Sequence, residues 1–94
     1  MSGNAVRISM YVIAIIVGII GIIVGATSSD PMTRRGFIAI GATILLNGIY
    51  AWIRGLGPAD PPDRPGWRFD FWPDGVVIIA IGAVCFLVAF LAIP

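Results

Sequence analysis

Asn47 is the one amide side chain inside the three long uncharged stretches of this 94-residue chain. Its amide brings two donors and an acceptor that hydrocarbon cannot satisfy, so it must meet another helix or water. At 100° per residue it shares one face, within about 80°, with Gly36, Ala39, Thr43, Tyr50 and Arg54. Two chemistries follow from that stripe. One is a packing hydrogen bond between helices, on the order of 0.6–2 kcal/mol in a bilayer. The other is an aqueous path lined by Thr43, Asn47 and Tyr50. Beyond this stripe, reactive chemistry is sparse. The chain has no histidine, so it offers no imidazole for metal, haem or acid–base work. The lone Cys85 has no base or cation near it in sequence and reads as a small apolar filler. Asp30, Asp60, Asp63, Asp70 and Asp74 all lie outside the uncharged stretches, beside Pro, Arg or an aromatic residue, so no intramembrane proton relay can be assembled. No phosphate-binding loop, nucleophile elbow or catalytic pair is present. The expectation is a non-enzyme with no catalytic, cofactor-binding or metal-ligating residues of its own. Any cofactor in its surroundings would be ligated by partners.

The placement of charge defines the elements that must carry these residues. Ile8 to Ser29, Gly36 to Ile53 and Gly75 to Pro94 contain no charged side chain. Each approaches the ~20 residues that cross about 30 Å of hydrocarbon. Hydrophobic residues make up 59% of the chain and charged residues 12%, with a mean hydropathy of +0.99. A small water-soluble domain needs far more polar surface than that. The reading is an all-α membrane protein, a small bundle of three transmembrane helices with one Pro/Trp-rich interfacial loop. It forms a single membrane domain over residues 1–94. Helix one is expected over about 5–26, helix two over 31–54, an extramembrane loop over 55–74 and helix three over 75–93. Arg7 and Val24-Gly25-Ala26 imitate a signal peptide, but the apolar run from Ile8 to Ala26 outlasts the usual ~7–15 residues, so an uncleaved helix is expected.

The connections carry helix-start signals. Asp30-Pro31 places a capping carboxylate before a first-turn proline. Trp72-Pro73-Asp74-Gly75 repeats the pattern, with Asp74 as the expected N-cap of helix three. Between Gly55 and Gly66 the prolines disfavour helix and central strand, and an extended, partly polyproline-like path is predicted. Alternation fails at Phe71-Trp72, so no strand is predicted there either. Arg7, Arg54, Arg64 and Arg68 flank one membrane side, against Arg34 and Arg35 on the other, which favours N-in and C-out. Charge carried by Arg and Asp alone fits a GC-rich or halophilic genome, and a prokaryotic inner membrane is the expected location.

The helix faces indicate partners. Ala14, Gly18, Gly21 and Gly25 form one stripe within about 60° on helix one, the small-residue pattern that lets helix backbones approach. The simplest arrangement sets it against the stripe through Thr43 and Asn47. Helix three offers a narrow seam at Gly82 and Ala89. Trp52, Trp67 and Trp72 gather at one interface as anchors, and Arg34 and Arg35 set topology or meet lipid phosphate. The expected partners are the lipid bilayer and other membrane subunits, in a hetero- or homo-oligomer. A net charge of +1 supplies no basic patch for nucleic acid. The leading expectation is therefore a non-catalytic accessory subunit of a larger membrane assembly. The alternative is a homo-oligomeric pore or holin-like channel lined by helix two. The three-span layout is shared by many unrelated small proteins and points to no family by itself.

Overall fold

The computed structural model describes residues 3–58, 67–68 and 71–93. Three helices dominate: α1 (Gly3–Thr27), α2 (Pro31–Arg54) and α3 (Val76–Ala92). Between α2 and α3 the short strands β1 (Gly57–Pro58) and β2 (Trp67–Arg68) pair antiparallel, with Gly57 opposite Arg68. This ladder was not expected from the loop sequence. At two residues per strand it has no interior, so Pro58, which lacks an N–H, is tolerated on its edge. Of the extended path expected between Gly55 and Gly66, the described part is a left-handed turn at Gly55 followed by β1, and 59–66 lie outside the described residues.

Helix two keeps the bounds read from its capping signals. Asp30 accepts a hydrogen bond from the Thr33 backbone N–H at 2.9 Å, and Pro31 opens the first turn. The helix closes on Gly55 in the left-handed conformation, φ 67°. Helix three departs from expectation at its start. Its N-cap position is Gly75, with no side-chain cap bond. Asp74 instead belongs to a widened turn, Phe71–Gly75, in which Trp72 is extended. Its carboxylate turns inward to a phenol and a guanidinium on α2. Two donors on α2, one of them a cation, converge on it there and satisfy the buried charge.

All three helical spans, Ala5–Thr27, Pro31–Arg54 and Phe71–Ala92, are long and apolar enough to cross a bilayer. Among the described residues the buried apolar side chains are Tyr11, Ala39, Leu56 and Ala89. Burying a large apolar side chain is worth ~1.5–3 kcal/mol. Fixing each backbone residue costs ~1–2 kcal/mol, so this core is far too small to fold the chain in water. Outward-facing Ile53 and Leu91 are 78% and 77% exposed. In lipid the demand changes: every backbone polar group must be satisfied internally, and a helix does so with its own hydrogen bonds. The chain is an integral membrane protein.

α2 is the central helix. It packs on α1 along one side and on α3 along the other, while α1 and α3 make no comparable contact with each other. The α1–α2 seam is backbone against backbone. A Cβ at Gly18 would lie 2.7 Å from the Gly41 carbonyl oxygen, and one at Gly41 would lie 2.6 Å from that of Gly18. Gly21 faces Gly41, Gly25 faces Ile38, and Ala14 meets Gly48. This corrects the simplest arrangement. The glycine stripe of α1 meets the Ile38–Gly41–Gly48 side of α2, whereas Thr43, Tyr50 and Arg54 face α3. Closest approach decides the docking in lipid, and Gly41 and Gly48 permit it. Gly36, at the start of the polar stripe, has open space where a Cβ would sit.

Candidate functional site

The end of α2 builds a cavity. Past Arg54, the N–H groups of Gly55 and Leu56 bond back to the carbonyls of Trp52 and Ala51, at 3.2 and 2.9 Å. This turn tucks Leu56 inward, where it is buried. Tyr11 on α1 donates its hydroxyl to the Leu56 carbonyl. Its ring stacks on Trp52, with centroids 5.9 Å apart. One tyrosine therefore ties α1 to the turn that ends α2. A cavity of about 570 Å³ remains between the helices. Met10, Tyr11 and Ala14 form its α1 wall, Ile78 its α3 wall, and Ile44, Asn47, Gly48 and Ala51 its floor on α2. Leu56 and Gly57 line it past the end of α2. The cavity occupies the gap left because α1 and α3 do not pack together.

Asn47 is the polar exception among apolar or small lining residues. Its Oδ1 is buried and has no hydrogen-bond partner. A buried unsatisfied acceptor costs ~1–3 kcal/mol. Its neighbours on the stripe are engaged otherwise. The Thr43 hydroxyl donates to the Ala39 carbonyl of its own helix at 2.7 Å, and the Thr43 methyl lies toward Gly82 of α3. Tyr50 is taken by Asp74.

Beside the cavity stands an ion cluster. Asp74 is fully buried. One of its carboxylate oxygens accepts from the Tyr50 hydroxyl at 2.8 Å and from Arg54 Nε at 3.1 Å. Tyr50 and Arg54 are four residues apart, one above the other on α2. Two donors thus converge on one acceptor and join the end of α2 to the start of α3. A carboxylate taken this far from water needs such partners, because desolvation otherwise outweighs any attraction.

The opposite end is held by Arg34 and Arg35. Arg34 donates from Nε and Nη2 to the Ser28 carbonyl just past α1, at 3.2 and 3.1 Å. Arg35 donates from Nε to the Ile93 carbonyl at the end of α3, at 2.8 Å. Adjacent cations at the start of α2 thereby occupy carbonyls left over at the ends of both neighbours, where the helix dipole also favours positive charge. Hydrogen bonds from the Thr33 hydroxyl and backbone hold the Asp30 carboxyl below the usual carboxylate range, aided by the nearby Arg34 charge.

The structure brings Ala14, Gly18, Gly21 and Gly25 onto α2 and sets Thr43 against Gly82. Ala89 is buried on α3. Trp52 is half exposed beside Tyr11, and Trp72 is exposed at the head of α3. The side chain of Trp67 lies outside the described residues. Cys85 is a half-buried free thiol. Tyr11, Gly41, Gly48 and Asp74 were missed as site residues. Gly41 and Gly48 carried a signal, being small residues seven apart on one face of α2. Asp74 carried only a faint one, as the acid at the head of helix three, which an antiparallel connection sets beside the end of helix two that bears Tyr50 and Arg54. Among the described residues no cluster of acidic or thiol side chains could hold a metal ion. Compared with family models, curated proteins and solved structures, the chain shows no match in any of the three.

Proposed function

We propose that this chain is a non-catalytic accessory subunit of a larger integral membrane assembly. One observation carries the reading: among the described residues Arg34, Arg35, Arg54 and Asp74 hold the chain's own elements together, while the outward faces of α1 and α3 are apolar. Arg34, Arg35 and Arg54 each bind a group on a neighbouring element. What α1 and α3 turn outward is Ile13, Ile20, Ile79 and Leu91, each more than half exposed. A subunit of this design meets its surroundings through helix faces. The glycine stripe of α1 is occupied inside the chain, so partners pack on the outer sides of α1 and α3. A homo-oligomeric pore is the second reading, but Thr43 and Tyr50 face α3 of the same chain and only Asn47 remains to line a path.

The proposal includes a prokaryotic inner membrane with the N-terminus inside and the C-terminus outside, following the arginine distribution. The test is gentle extraction from native membranes, native separation and mass spectrometry of the band. Co-migration with larger, different subunits is expected. A band of this chain alone, at a multiple of 10.0 kDa, contradicts the accessory role and favours the pore.

A further inference from the structure

We propose that the gap between α1 and α3 over Asn47 binds an uncharged, lipid-soluble alcohol, whose hydroxyl pairs with the Asn47 amide and whose apolar tail fills the cavity. The cavity measures about 570 Å³, inside the ~300–1,000 Å³ range of small-molecule sites, which are mostly apolar with few polar groups. Tyr11, Ala14, Gly48, Leu56 and Ile78 supply apolar or small walls, and Asn47 supplies the polar point. Its Oδ1 lacks a donor. A hydroxyl supplies that donor and can accept from the amide nitrogen as well. Among the described residues no charged side chain lines the cavity. Arg54 and Asp74 satisfy each other beside it. Asn47 lies seven residues, about 10 Å, below Arg54 along α2, a depth at which a charged head group would be expelled from hydrocarbon. The cavity is also short. Leu56 and Gly57 line one end, and its floor runs only from Ile44 to Ala51, about 10 Å. A small molecule fits that length and a partner's transmembrane helix does not.

The test is photolabelling in native membranes with a long-chain primary alcohol carrying a diazirine on its tail, the labelled residues being read by mass spectrometry. Saturable labelling of Tyr11, Leu56 and Ile78 is expected. Unlabelled alcohol should displace it about three- to thirtyfold better than the matched alkane, the ratio one intramembrane hydrogen bond supplies. Asn47→Leu should erase that preference while the tail still labels the same residues. Unsaturable label spread over Ile13, Ile20 and Leu91 overturns the proposal. So does equal displacement by alcohol and alkane in the unmutated chain, a reading that needs no variant to fold. Labelling that appears only after detergent strips away a bound protein assigns the gap to a partner and overturns it too.

Discussion

A single buried carboxylate makes the sharpest residue-scale demand. Asp74 is fully buried and depends on Tyr50 and Arg54. Removing the cation leaves an uncompensated buried charge, whereas neutralising the acid leaves only a polar amide. Arg54→Met should therefore destabilise the chain more than Asp74→Asn, and the double variant should recover most of the loss. Thermal unfolding in detergent micelles of all three variants checks that order. Asn47 behaves oppositely. Its Oδ1 is unsatisfied in the chain alone, so Asn47→Leu should be neutral or stabilising by about 1–3 kcal/mol in the same assay. Asp30 gives a pH signature. Its carboxyl is held below the unfolded value by Thr33, so the capping contribution is complete above that value and is lost as pH falls through the folded one. Hydrogen exchange at Thr33 and Arg34 should accelerate across that acidic window, and Asp30→Ala should show fast exchange at every pH. At this scale the sequence revealed Asn47 as the lone intramembrane amide and Asp30 as a cap, because both follow from local rules. It did not reveal the role of Asp74. That residue's partners lie twenty and twenty-four positions away, and the local Trp-Pro-Asp-Gly pattern points to a cap instead.

The helices were legible because charge placement and hydrocarbon thickness fix their number and nearly their ends. The face that α2 offers α1 was not. Polarity drew attention to the Thr43–Asn47–Tyr50 stripe, whereas closest approach in lipid is set by size. Gly18 and Gly41 interlock, with no room for a Cβ on either. Gly41→Leu should force α1 and α2 apart at a cost of at least ~1–3 kcal/mol. Gly36→Leu, five residues earlier on the same helix and facing open space, should be tolerated. Steric-trap unfolding in bicelles separates the two. Equal losses at Gly36 and Gly41 would refute the glycine seam. The two-residue ladder of β1 and β2 escaped sequence reading because two residues per strand are too few to show an alternation, and one of them is a proline.

At the scale of the molecule, α2 stands between α1 and α3 and is tied to both at each end. Arg34 and Arg35 secure the end where α2 begins, and Tyr11 with the Tyr50–Arg54–Asp74 cluster secures the other. That arrangement leaves the gap over Asn47, and no composition or periodicity could have disclosed it. A reporter fusion at the C-terminus should be active only outside the cytoplasm if the arginine distribution sets orientation. The gap itself can be probed directly in native membranes with cysteine pairs in a Cys85→Ser background. Thr43→Cys with Gly82→Cys joins α2 to α3 across an ordinary contact, the Thr43 methyl lying 3.6 Å from where a Cβ at Gly82 would sit. Ala14→Cys with Ile78→Cys instead spans the cavity from α1 to α3. Efficient oxidation of the first pair and none of the second is the expected result. Equal cross-linking of both would mean that α1 and α3 close over α2, and would contradict the central place of α2 and the cavity with it.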